Sequence, residues 1–302
     1  MTVCTASMFV WAYDAAANDF GSAIIAASDR MLTDSGLGIE YEGARWKGAA
    51  VASKQLVLVA GDITVHSAIL RRLDAELKQV SPATTFETAE RVAAFIREYR
   101  MQQAVRYNLM PLNLDENSFI AQQRTMEPSL VARLATQLQN FRIDAEAIVL
   151  GCDGEKDASL YRIDDAGVVT DHSGIGFVSI GSGGIHTSAH FMLESYTNAT
   201  TYFRALYQTF KAKKRAEVAP GVGAYTDMFL ITRTAASTIN REIIQALEDI
   251  HTEDMARTKR LPEEAEQRLV EAHKSLLPQP SEPPPTAEPT SGVNSSGFGQ
   301  VG

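Results

Sequence analysis

Three observations predict an α+β fold of antiparallel sheets covered by helices. Strand-like and helix-like runs are segregated rather than alternating, the strands come as turn-linked neighbours, and helical periodicity arrives in pairs of segments. That order argues against a doubly wound parallel sheet, which needs a helix after each strand.

The elements follow in chain order. Residues 2–13 and 20–28 are apolar, β-favouring runs joined by AAANDF, where Asn18 and Asp19 supply turn chemistry, so they predict a hairpin. Gly36, Gly38 and Gly43 predict a loop-like connection next. GAAVAS (48–53) and QLVLVAGD (55–62) predict two short strands, separated at Ser53-Lys54. From Ile63 the period changes, and Ile63, Ile69, Leu70, Leu73 and Leu77 recur at helical spacing. Ser81-Pro82 breaks that helix, Thr85 is the expected cap of the next, and the second helix continues to about residue 105. NLMPLNLDENSF is expected to be a loop, and 126–141 a helix with Pro128 in its first turn.

Strands return at 147–153 and 159–172, the latter folded at Asp165-Ala166-Gly167, and FVSIGSGG (177–184) leads through Gly183-Gly184 into a helix. A further helix, YFRALYQTFKAKKRA, ends before Pro220, with its basic cluster KAKKR (211–215) expected on a solvated face. A turn, a strand ending near Arg233 and a helix over 238–251 complete the pattern. Residues 1–275 are expected to form one domain. Residues 276–302, rich in Pro, Ser and Gly, are expected to be a disordered tail, because they bury too little apolar surface to offset chain entropy.

Composition narrows the function. A chain that is 45% hydrophobic and 22% charged is that of a soluble globular protein with a filled core. A net charge of −9 supplies no basic surface for a phosphate backbone, so nucleic-acid binding is not expected. No run reaches the roughly 18 apolar residues of a membrane span, and the start makes a poor signal peptide, so a cytoplasmic location is expected. Cys4 and Cys152 form no metal-ligand or disulfide spacing. His186 and His190 stand four apart on a predicted helix, but without a further ligand in view no metal is expected.

Several short stretches together resemble one family. Thr2 follows a removable Met; IAASDRMLT (25–33) is similar to a strand ending in Ala-Ala-Asp, then Arg, then Thr; GARWKGAA (43–50) resembles a lysine-bearing segment; VLVAGD (57–62) resembles an Ala-Gly turn into a helix; and residues 147–184 end in the pattern Ile-Gly-Ser-Gly. These resemble the proteasome β-subunit family of N-terminal-nucleophile hydrolases over roughly residues 2–235. The direct start MTVC is most similar to its bacterial ancestral branch, Anbu. The resemblance implies a four-layer αββα sandwich and a homo-oligomer, a ring or an open helical assembly, acting on peptide or protein substrates with no metal or organic cofactor.

The chemistry of the residues agrees with it. A threonine hydroxyl is a weak nucleophile that needs a base within hydrogen-bond reach. A free α-amine titrates near ~8, so Thr2 freed of Met1 carries nucleophile and base on one residue. Cys4, the rival nucleophile by type, is internal and has no evident base. The resemblance assigns Lys47 to keep the local potential positive, Asp29 to hold Lys47, Ser182 to relay protons at the amine, and Gly61 to offer an oxyanion N–H. By residue type alone, Asp29 and Lys47 are also compatible with surface charges and Ser182 with a helix cap. One departure stands out: the family's Asp and Ser pair before the last strand is replaced here by Ala219 and Val222, while Asp227 matches a later acidic position. The expected activity is therefore a threonine-type peptidase. A catalytically silent structural subunit and a small-molecule amidase are the alternatives.

Overall fold

Period-2 alternation of buried residues organises the computed structural model, which describes residues 2–14, 19–34, 39–43, 47–77, 84–154 and 157–276. The chain divides into two units, Met1–Asp249 and Ile250–Gly302.

Among the described residues of the first unit there are two five-stranded sheets and a separate hairpin, with every strand pairing antiparallel. One sheet contains β1 (Cys4–Asp14) and β2 (Asp19–Ser28); the hairpin is β3 (Met31–Asp34) with β4 (Ile39–Glu42). The other sheet contains β5 (Gly48–Ala52), β6 (Gln55–Gly61), β7 (Ala145–Cys152), β8 (Ala158–Ile163) and β9 (Val169–Asp171), in that order. The first sheet is completed by β10 (Phe177–Ile180), β11 (Asp227–Ile231) and β12 (Ala236–Thr238), in the order β10-β1-β2-β11-β12.

Alternation decides which face meets what. Cys4, Ala6 and Met8 of β1 pack with Leu56, Leu58 and Ala60 of β6 and with Ile148 and Leu150 of β7, in one core between the sheets. On the opposite face Phe9, Ile25 and Met228 pack against helices α5 (Gly184–Leu193) and α6 (Tyr202–Ala216). Val57, Val59 and Val149 turn away from the shared core to α1 (Ile63–Leu77) and α2 (Thr85–Asn108), through Ile69, Leu73, Val92 and Ile96.

Several local expectations are corrected. The loop after Ser28 contains the β3–β4 hairpin, whose second strand is exposed along its length and so carries no buried alternation to read. The cap of α2 is Thr84, which accepts from Glu87 N, while the hydroxyl of Thr85 is buried and donates to Asp153. The expected loop at 108–119 holds a 3₁₀ turn (Met110–Leu112) and the start of α3 (Glu116–Gln122), closed by an Asp115–Ser118 capping box. Helix α4 (Pro128–Gln139) has Pro128 in its first turn, as expected. Thr238 ends a strand instead of opening a helix, and α7 runs Arg241–Leu276, past the expected end at 251, because 252–276 is rich in Glu, Ala, Arg, Lys and Leu, which favour helix, even with Pro262 inside it. The predicted disordered tail lies outside the described residues, apart from Leu276.

Candidate active site

Register alone brings the N-terminus between two chain ends. Cys4 of β1 pairs with Ser28 on one side and with Ile180 on the other. Antiparallel pairing then sets Asp29, just past β2, and Gly181-Ser182, just past β10, on opposite flanks of Thr2. Lys47 enters from the other sheet: it precedes β5, and its carbonyl accepts from Val59 N at 3.1 Å.

Thr2, Asp29 and Lys47 meet in a buried cluster, each at most 1% exposed. The Thr2 hydroxyl donates to Asp29 Oδ1 at 2.5 Å and also receives Lys47 Nζ, which donates to the same Oδ1 at 2.9 Å. The backbone completes the carboxylate: Val3 N reaches Oδ1 at 3.0 Å, while Met31 N at 3.1 Å and Gly223 N at 3.0 Å reach Oδ2. A buried ion pair persists only when its remaining lone pairs find donors, and here both oxygens do. Asp29 therefore contacts the Thr2 hydroxyl directly as well as Lys47.

Ser182 lies on the other flank. Its Oγ accepts from Thr2 N at 3.2 Å and donates to the Pro220 carbonyl at 3.1 Å. It does not cap α5: that helix begins after Gly183, without a side-chain cap. Gly181 is required here, because it sits at φ +83° and a Cβ on it would lie 2.3 Å from the Thr2 carbonyl oxygen.

Gly61 ends β6 and lines the same cavity as Thr2 and Ser182, a space of about 610 Å³. At φ +131° it holds a conformation open to glycine alone, and a Cβ would strike the Asp144 carbonyl at 1.9 Å. Glu146, Arg162 and Asp144 also line this cavity. Glu146 accepts Gly181 N at 3.0 Å and pairs with Arg162, so it braces the turn that carries Ser182. The structure thus gathers Thr2, Asp29, Lys47 and Ser182 by direct contact, and Gly61 lines the same cavity as Thr2 and Ser182.

Cys4 is a core residue. Its Sγ contacts the Val59 carbonyl at 3.8 Å, and burial pushes its thiol far above the usual range. Burial likewise pushes Cys152 up to about 12. His190 is buried and hydrogen-bonded through Nε2 to Gln208 at 2.7 Å, so it belongs to the helix packing. No group of three or more His, Cys, Asp or Glu suited to a metal occurs among the described residues.

The segment 217–226 reaches the site by backbone. Ala219 and Val222 pack with Val3 and Ala216 in a small apolar cluster beneath Thr2, where the sequence departs from the Asp and Ser pattern. Pro220 O and Gly223 N make the polar contacts instead. Asp227 is engaged elsewhere, in a two-point ion pair with Arg30 at 2.6 Å. Lys213 corrects the reading of KAKKR as solvated: its side chain is 0% exposed, and Nζ donates to Glu217, Gly223 O and Ala224 O. Burial lowers its pKa, with Glu217 acting in the opposite direction. Spacing carried the signal, since Lys213 falls on the α6 face of Leu206, Thr209 and Phe210.

No protein-family profile and no curated protein matches the chain. Among solved structures it is similar to Anbu (ancestral beta-subunit) from Yersinia bercovieri, with a TM-score of 0.55 over 85% of this chain and 96% of that one. The fold is Anbu-like. Identity with Anbu is 13%, so the likeness speaks for the backbone and not for the chemistry. It bears out, at the level of fold, the resemblance carried by the stretches from Thr2 to the IGSG turn. No helix among the described residues is long and apolar enough to cross a membrane.

Proposed function

We propose that the chain is a proteasome-like threonine peptidase whose nucleophile is Thr2, exposed by removal of Met1. The observation that carries this reading is the convergence of Asp29 and Lys47 on the Thr2 hydroxyl, with Ser182 on Thr2 N. Once Met1 is gone, that nitrogen is an α-amine. It takes the hydroxyl proton as Oγ1 bonds to the amide carbonyl carbon. Lys47 stabilises charge growing on the nucleophile, Asp29 holds Lys47 and the hydroxyl in place, and Ser182 orients the amine. The Gly61 backbone N–H stabilises the oxyanion. The C–N bond then breaks, the amine proton passes to the leaving nitrogen, and an ester on Thr2 remains. Water adds to the ester, the C–O bond breaks, and Thr2 is regenerated. These steps use protein groups and one water molecule.

We further read the two packed sheets and their outer helices as a four-layer αββα sandwich, and the chain as a cytoplasmic protein that self-associates into a ring or open helical assembly. The similar solved structure is described as a subunit, which supports self-association. Sedimentation showing only monomer across working concentrations contradicts that part.

Turnover of a peptide library tests the activity. Thr2→Ala is expected to lose at least ~10³-fold in kcat/KM while Thr2→Ser keeps measurable turnover. Unchanged peptide cleavage by Thr2→Ala overturns the reading. A library left uncut, with Thr2-dependent hydrolysis of small amides, selects the small-molecule amidase. Absence of both selects the silent subunit.

A further inference from the structure

Lys213 is an anomaly on its helix. Lys211 and Lys214 of the same basic cluster keep part of their side chains in solvent, yet the Lys213 side chain is wholly buried. Dehydrating an ammonium costs several kcal/mol unless all three of its donors find acceptors. All three do: Glu217 Oε1 at 2.6 Å, Gly223 O at 2.8 Å and Ala224 O at 3.0 Å. An apolar side chain fills such a space as well, but it does not aim two carbonyls. The aimed segment is the one that meets the site. Gly223, whose carbonyl Lys213 grips, donates its own N–H to Asp29 Oδ2, and Pro220 in the same turn accepts from Ser182. Apolar packing of Val222 and Ala219 against Val3 fixes the depth of this segment but not its polar direction.

We infer that Lys213 is a positioning residue of the site: its ammonium holds segment 217–226 in the shape that presents Gly223 N–H to Asp29 and Pro220 C=O to Ser182. It touches neither substrate nor Thr2, and it acts through the backbone. Glu217 balances the charge without setting the segment's direction. The inference rests on the threonine-nucleophile reading for its kinetic consequence and on geometry alone for its structural one.

Two variants and two measurements test it in the full chain. Lys213→Met is expected to lower kcat about 10²-fold with KM nearly unchanged, the penalty for a misplaced catalytic group. It is also expected to speed hydrogen exchange of the backbone amides over 218–226 by at least about 10-fold, as that segment loses its tether. Glu217→Gln leaves both carbonyl contacts and is expected to change kcat by less than about 3-fold. A purely structural lysine predicts the reverse pattern: equal loss of stability in both variants, and kcat per folded molecule at the wild-type level. Should Lys213→Met fail to fold, Lys213→Gln keeps a neutral amide with two N–H donors and carries the same test, with about a 10-fold kcat loss expected. Wild-type kcat, or wild-type exchange over 218–226, in the folded Lys213 variant overturns the inference. If Thr2→Ala retains full activity, the nucleophile reading fails instead, and the exchange measurement alone then decides whether Lys213 holds the segment.

Discussion

Thr2 is held from two sides by different means. Toward Asp29 and Lys47 the contacts that matter are between buried charged or hydroxylated side chains, and each partner satisfies the others. Toward 217–226 the nearest side chains are apolar, and the polar work falls to a backbone N–H and a backbone carbonyl, aimed from behind by Lys213. One side depends on residue identity at three positions. The other depends on the path of the chain, and tolerates identity changes that preserve that path. A support that looks missing when side chains are counted is present when backbone groups are counted.

The largest expected effect lies on the side-chain flank. Asp29→Asn or Lys47→Met leaves a buried charge without its partner, so each is expected to cost about 3–5 kcal/mol in urea unfolding and to abolish turnover. The double change Asp29→Leu with Lys47→Met removes both charges. It is expected to recover part of the stability and none of the activity, which separates the energetic role of the pair from its chemical one.

A pH experiment sharpens the same flank. His66 on α1 has a buried Nε2 with no hydrogen-bond partner among the described residues. Burial, and then the Lys47 charge, push its pKa down from 6.5 to about 4. The unfolded chain therefore takes up the proton first. Stability due to neutral His66 is present above 6.5 and is lost as pH falls toward about 4, by up to about 3 kcal/mol. His66→Leu is expected to flatten the melting temperature across this window. An unchanged slope contradicts the burial of the His66 imidazole.

The smallest effect is expected where backbone and side chain share the load. Ser182→Ala deletes the partner of Thr2 N and the donor to Pro220, but Gly183 N still reaches the Thr2 carbonyl at 3.3 Å. About a 10-fold loss in kcat, with stability within about 1 kcal/mol of wild type in urea unfolding, is expected. A loss as large as that of Asp29→Asn would erase the distinction between the flanks.

The two flanks also differ in how far they were legible beforehand. Continuous apolar runs in β1, β2, β6 and β7, buried on both faces, and helical spacing in α1 make the strands and the first helix legible in the sequence. Thr2, Asp29, Lys47 and Ser182 are legible through the family resemblance, which assigns them roles; by residue type alone Asp29 and Lys47 also read as surface charges and Ser182 as a helix cap. Pro220 and Gly223 carried no such mark, since a backbone N–H or carbonyl is common to almost every residue. Lys213 was hidden for another reason: a basic run reads as solvated unless each lysine is placed on the helical wheel. The seven-residue α3 is shorter than two turns, too short for periodicity to mark it, although Asp115 and Ser118 stand at capping-box spacing.

In the proposed reaction one residue supplies nucleophile and base, and intact-mass analysis after treatment with a hydroxyl-directed electrophile reads this out at Thr2. The expected product is a chain that begins at Thr2, lacks Met1, and carries one adduct, mapped by digestion to that first residue and absent from Thr2→Ala. A protein that cleaves peptides while retaining Met1, or that carries its adduct on any other residue, contradicts it.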